Sequence, residues 1–204
     1  MSMPILIGCV GAGGTGKTTV VNRVTENNPR ITVVPSVIRP TMKALGFQTE
    51  DEMRAQTPER RLEIQTILLE TYVTNLQRVI DTATTDVLLF ERTAIDHYGY
   101  CLVHGGAAMT VEHETRLDFL VGKSMEKFHA LAYFPYPTPF VNQSADGFRT
   151  TNGAIGQNYV LDHIYRARIA NMGKGMPLLA MESFNSDDRM RALNYLIETL
   201  NPHI

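Results

Sequence analysis

The chain has 204 residues, with 19 Lys+Arg against 21 Asp+Glu and a formal net charge of -2. Near-balanced charge argues against bulk duplex nucleic acid or an anionic membrane as the main partner, because both favour a large basic excess. A chain of this length can bury a full core without staples, and its two cysteines, Cys9 and Cys101, are too few for a disulfide framework and point to a reducing compartment. No apolar run approaches the roughly 18 residues of a membrane span, and glycines interrupt the first apolar stretch where a signal peptide would continue. A soluble, cytoplasmic protein with no membrane partner is expected.

In chain order, Ile5 to Val10 is the first short apolar, β-branched run and reads as a buried strand. A glycine-rich turn follows, with five of the 15 glycines falling between Gly8 and Gly16, and then a helix beginning near Lys17. Ile31 to Val34 and Val87 to Phe90 read as further buried strands, Ala130 to Phe134 and Pro177 to Met181 as weaker ones. Between them, Leu68, Tyr72, Leu76 and Val79 share a helix face after Thr57-Pro58, a cap residue followed by proline at the first helical position. Leu117, Val121, Met125 and Phe128 repeat that stripe behind Thr110 as N-cap. Met190, Leu193, Ile197 and Leu200 line a last helix, with Ser186 before Asp187 and Asp188 at its positive end. Strands alternating with helices imply right-handed crossovers and a parallel sheet covered on both faces. No repeat, low-complexity tract or linker marks a boundary, so residues 1–204 are expected to form one α/β domain, a three-layer sandwich on a central parallel sheet of about five strands.

The glycine-rich turn Gly11-Ala12-Gly13-Gly14-Thr15-Gly16-Lys17-Thr18 matches G-x-x-x-x-G-K-[ST] in full, after a strand and before a helix. Such a loop turns back around a phosphate so that successive backbone N–H groups point inward, and glycines permit the positive φ and close approach this needs. Lys17 is placed to meet β/γ-phosphates, the Thr18 hydroxyl to ligate Mg²⁺, and the helix N-terminus with Thr19 to add its dipole. The fold expected is therefore a P-loop NTPase sandwich that takes ATP with Mg²⁺. The loop identifies nucleotide phosphates, not the reaction.

The third strand runs into Glu91-Arg92-Thr93, followed by Asp96 and Tyr100. Strand ends of open parallel sheets face the site. Glu91 could reach Mg²⁺, its water or an acceptor hydroxyl; Arg92 could neutralise a transferring phosphoryl group. Asp96, one helical turn beyond Arg92, could face the same cleft and orient an acceptor. The plainer alternatives are a surface ion pair for Glu91 and Arg92, and solvent for Asp96.

The stretch Glu91-Arg92-Thr93-Ala94-Ile95-Asp96-His97-Tyr98-Gly99-Tyr100 resembles the "D-R-[ST]-x-x-D-x-x-x-Y" segment of small P-loop kinases, many of them phage-encoded. The wider resemblance is to deoxynucleoside and nucleoside monophosphate kinases and to ribosylnicotinamide-kinase-like proteins. Pro35-Ser36-Val37-Ile38-Arg39, Gln65 and Asp146-Gly147-Phe148-Arg149 agree in order, so it covers most of the chain. It implies transfer of the ATP γ-phosphate to a nucleoside, nucleotide or related hydroxyl compound, in the cytoplasm, or the host cytoplasm if phage-encoded. A related alternative is a phage kinase acting on a 5-hydroxymethyl pyrimidine in DNA. Another is a nucleotide switch with no small acceptor. One departure stands out: many nucleoside kinases carry a glutamate after the second strand as base, and this chain has Ser36. Either Glu91 or Asp96 then takes the proton, or positioning suffices, as a loose transition state permits. Arg39 would hold an acidic group of the acceptor, or else be an ordinary exposed arginine.

Tyr133-Phe134-Pro135-Tyr136-Pro137-Thr138-Pro139-Phe140 contains three prolines and forbids regular helix or sheet. With the polar, glycine-containing stretch after it, this reads as a mobile lid over about residues 136–158, Arg149 being its candidate catalytic arginine and Arg166 and Arg168 weaker ones. Its aromatics would stack on an acceptor base or pack the loop on the core. The six histidines have no metal-ligand spacing with the cysteines. A homodimer is compatible with all of this.

Overall fold

The strands form on the short apolar runs the sequence carries: β1 (Ile5–Val10), β2 (Ile31–Val34), β3 (Val87–Phe90), β4 (Ala130–Tyr133) and β5 (Leu178–Ala180). The structure, a computed structural model, describes residues 3–26, 28–136, 154–171 and 175–202. The strands make one five-stranded sheet of order β2-β3-β1-β4-β5, every pair parallel, with Ile5 beside Val87 and Ile7 beside Ala130. The last two strands are shorter than their apolar runs. Phe134 and Met181 lie outside the ladder although their N–H groups still donate to Val10 O and Tyr133 O, each at 2.8 Å.

Eight α-helices occur among the described residues: α1 (Lys17–Thr25), α2 (Ile38–Ala44), α3 (Glu50–Arg54), α4 (Pro58–Asp81), α5 (Ala94–Gly105), α6 (Val111–Met125), α7 (Ala154–Asn171) and α8 (Ser186–Leu200). They cover both faces. Leu6, Val10, Leu88, Phe90, Leu131 and Tyr133 point to the side of α4, α5, α6 and α7, while Ile7, Cys9, Leu89, Ala130 and Ala132 point to α1 and α8. This period-two division of a doubly covered parallel sheet makes the three layers. A Cβ at Gly99 would lie 2.5 Å from the Tyr165 ring, so a glycine there lets α7 press against α5.

The caps follow local chemistry. Thr57 accepts from Arg60 N–H with Pro58 at the first helical position, and Thr110 accepts from His113 N–H. At α8 the cap is Asn185, which accepts from Asp187 N–H, and the expected cap Ser186 is the first helical residue. Ser186 instead accepts from Arg23 Nη1 at 2.9 Å, and Arg23 also pairs with Asp187 at 2.6 Å, fastening the start of α8 to α1.

Candidate active site

The phosphate loop leaves β1 at the centre of the sheet. Its neighbours β3 and β4 lie on opposite sides, so the crossovers diverge here and a crevice opens at the strand ends. Gly11, Gly14 and Gly16 have φ of 155°, 77° and 83°, a region costly for side chains. A Cβ at Gly11 would also meet Phe134 O at 2.5 Å, so the backbone just beyond β4 requires the glycine. Lys17 is buried and its Nζ donates to Gly11 O at 2.5 Å, Ala12 O at 2.7 Å and Thr15 Oγ1 at 3.2 Å. The ammonium thus spans the mouth of the loop. Thr18 and Thr19 are exposed at the start of α1, facing the same cavity. These residues fit a polyphosphate: inward turns, a cation and a helix N-terminus converge on one point.

The cavity, about 890 Å³, extends from Gly13, Gly14, Thr15 and Gly16 past Glu91 and Arg92 into a second chamber. That chamber is walled by Met42, Met53, Leu68, Gln65, Tyr100 and His104, with Ser36 and Arg39 at its side. Met42, Met53, Ile64 and Leu68 form a separate small apolar cluster under α2, α3 and α4, which is its floor. The Tyr100 and His104 rings stack at 5.8 Å and 4°. Burial, with Arg54 and Arg61 nearby, lowers the His104 pKa to about 4, so the wall it makes is uncharged at neutral pH.

Glu91 is half-buried at the end of β3, and its Oε2 accepts from Ser36 N–H at 3.2 Å. Ser36 Oγ accepts from Ile38 N–H at 3.3 Å, turning the chain into α2. Arg92 is buried, its guanidinium 5.4 Å from the Tyr100 ring centroid and Nη1 donating to Asp96 Oδ1 at 3.3 Å. Arg39 is exposed on the cavity rim.

Asp96 stands differently from the expectation. It is fully buried and does not border the cavity. Oδ1 accepts from Gly11 N–H at 3.2 Å as well as from Arg92, and Oδ2 accepts from Thr93 N–H at 2.9 Å and the Thr93 hydroxyl at 3.2 Å. Thr93 and Asp96 are the capping box of α5. Both carboxylate oxygens are thus committed to protein donors, and Asp96 ties the phosphate loop to Arg92 from below instead of reaching an acceptor. Behind it lies His97, fully buried, with its ring 5.0 Å from Tyr72; neither of its ring nitrogens nor the Tyr72 hydroxyl has a hydrogen-bond partner.

Arg149 and most of the expected lid fall outside the described residues. Of its ends, Tyr136 packs in the core against Tyr159, and its N–H donates to Asp162 at 2.9 Å. Arg166 pairs with Asp162 at 2.8 Å and Arg168 with Asp118 at 2.9 Å, so neither is turned to the cavity. The first turns of α7 contribute amides instead: Asn158 Nδ2 donates to Gly13 O at 3.2 Å, and Gln157 Nε2 lies 3.0 Å from His104 Nε2.

Sequence reasoning did not single out Arg189. It is 2% exposed, borders the cavity and donates from Nη1 to Thr15 O at 2.6 Å. A signal was present, since Arg189, Leu193 and Ile197 share one stripe at helical spacing, and an arginine within a buried stripe needs an internal partner. Among the described residues no group of three or more His, Cys, Asp and Glu could hold a metal ion. Thr18 and Glu91 fit Mg²⁺, which uses one or two protein donors with substrate phosphates and water. No helix among the described residues is long and apolar enough to cross a membrane.

Loop, sheet order and cavity together define a P-loop NTPase fold with a nucleotide-binding loop. The family model for the AAA domain matches residues 6–152, and the chain belongs to that family. Among solved structures it is similar to the NadR protein in complex with NR, with a TM-score of 0.71 at 14% identity over 95% of this chain. The chain spans about half of that structure's length, 51%. No curated protein matches the chain in sequence.

Proposed function

We propose that the chain is an ATP- and Mg²⁺-dependent kinase that transfers the γ-phosphate to a hydroxyl or phosphate of a nucleoside or nucleoside monophosphate. The observation that carries this reading is the single cavity running from the phosphate loop past Glu91 and Arg92 into the Met42, Met53, Gln65, Tyr100 and His104 chamber. A switch or motor needs only the first half. A cavity that continues beyond the phosphate loop is what an acceptor requires, and its size suits a small molecule better than a DNA strand. The similarity to the NadR structure, solved with NR, supports the same direction.

The phosphate loop and Lys17 would hold the triphosphate, and Thr18 and Glu91 would hold Mg²⁺, which would supply neutralisation of the phosphate charge. Arg92, held by Asp96 and Tyr100, borders the cavity beside Glu91 and would neutralise charge on the transferred group. Asp96 is saturated and would not receive the acceptor proton; with Glu91 on Mg²⁺, positioning would suffice, as a loose transition state permits. Gln65, Tyr100, Ser36 and Arg39 would contact the acceptor. The test is a panel of nucleosides, nucleoside monophosphates and hydroxymethyluracil-containing DNA with Mg²⁺-ATP, read by mass spectrometry. A phosphorylated nucleoside or nucleotide is expected. Product on DNA alone would move the acceptor to DNA, and slow hydrolysis with no product anywhere would leave a switch.

A further inference from the structure

We propose that Arg189 is a positioning residue for the phosphate loop, turning the crown of the loop toward a polyphosphate through the Thr15 carbonyl and placing a buried cation behind it. This rests on the reading of the loop as the seat of nucleotide phosphates. Arg189 lies in the first turn of α8, remote in sequence from the loop. Its Nε donates to Ser183 O at 2.5 Å and its Nη1 to Thr15 O at 2.6 Å, with Phe134 and Phe184 rings 5.5 and 5.9 Å from the guanidinium carbon.

Two independent features support the role. The first is peptide geometry. Thr15 sits between Gly14 and Gly16, both at positive φ, so the peptide planes here have few steric restraints of their own. In a trans peptide the C=O and the following N–H point in opposite directions. Drawing the Thr15 carbonyl onto Arg189 therefore sends the Gly16 N–H the other way. A Cβ at Gly16 would come within 3.5 Å of the same Nη1, so the two groups are in direct contact range.

The second is charge. Arg92 has Asp96, but no carboxylate pairs with Arg189 among the described residues, and its Nη2 is buried without a hydrogen-bond partner. Burial draws the guanidinium pKa below its ordinary value. A buried, uncompensated cation is costly unless an anion arrives, and the cavity it borders is the one with the phosphate loop. Two backbone carbonyls offset part of that cost; a bound polyphosphate offsets more.

The experiment measures binding, not turnover. Kd is determined for Mg²⁺-ATP, Mg²⁺-tripolyphosphate and adenosine with the full chain and with Arg189→Met and Arg189→Lys, well below the melting temperature of each. Arg189→Met should raise Kd for Mg²⁺-ATP and Mg²⁺-tripolyphosphate by the same factor, about tenfold, as loss of a charged hydrogen bond predicts, and leave adenosine unchanged. Arg189→Lys should fall between, since one ammonium cannot reproduce the arginine fork to two carbonyls. A purely structural role would lower the melting temperature without that shared factor. Unchanged tripolyphosphate binding in folded Arg189→Met overturns the proposal, as does a loss confined to ATP, which would place Arg189 on the base. If Arg189→Met does not fold, Arg189→Lys decides by the same two ligands. Failure of the unmodified chain to bind tripolyphosphate overturns the phosphate reading itself, and Arg189's role with it.

Discussion

At the scale of single residues, Asp96 shows how one carboxylate can serve a site without entering it. It receives Gly11 N–H, Arg92 and two donors of Thr93, so it joins the start of the phosphate loop, the arginine and the cap of α5. Asp96→Asn keeps the shape but replaces one acceptor oxygen with a donor, which must then face a donor. Leaving a buried group unsatisfied costs roughly 1–3 kcal/mol, more where a charge is involved. Because Gly11 belongs to the phosphate loop, ATP affinity should fall along with transfer and with thermal stability. Calorimetric titration with ATP beside a thermal melt checks this. A variant that binds ATP as tightly as the original while losing only transfer would return Asp96 to the acceptor.

At the scale of elements, the parts with strong local chemistry were readable in advance, and those that depend on tertiary partners were not. β1, β2 and β3 end where their apolar runs end, and Thr57 and Thr110 cap the helices their spacing announces. Thr93-Ala94-Ile95-Asp96 carries the spacing of a capping box, and Asp96 also lies one helical turn beyond Arg92, a spacing that equally suits a cleft residue. Only the packing separates the two, since Glu91 and Arg92 border the cavity and Asp96 does not. The α2 and α3 segments are short, and only their packing with α4 shows that Met42 and Met53 make a chamber floor. Nor does anything local to Gln157-Asn158 reveal that α7 reaches both Gly13 and His104, on the two sides of the cavity. Asn158→Ala removes the link to Gly13 O, a half-buried hydrogen bond whose loss is worth about 0.5–1.5 kcal/mol. The KM for ATP should rise several-fold and the melting temperature should move little; steady-state kinetics with ATP varied tests it. An unchanged KM would show that α7 rests on the loop without holding it.

At the scale of the whole molecule, unfolding is coupled to protons through two histidines of α5. Burial, with Arg92 adding repulsion, lowers the His97 pKa from 6.5 to about 3, and burial lowers that of His104 to about 4. Below pH 6.5 the unfolded chain takes up protons at these positions and the folded chain does not, so stability rises with pH through this window and falls as acid is added. Each histidine contributes a slope of up to about 1.4 kcal/mol per pH unit, full only well below the unfolded pKa. The His97 ring makes no hydrogen bond and lies against Tyr72, which makes none through its hydroxyl. His97→Phe removes two unsatisfied nitrogens, keeps a ring against Tyr72, and should cost little at pH 7.5. Denaturant unfolding between pH 7.5 and 5, a range above most carboxylate titrations, isolates the histidines. The variant should lose about half of the slope these two residues produce, with His104 supplying the remainder. If variant and original chain lose stability in parallel across that range, His97 is charged in the folded protein or already neutral in the unfolded one, and its place behind Arg92 has no influence on acid stability.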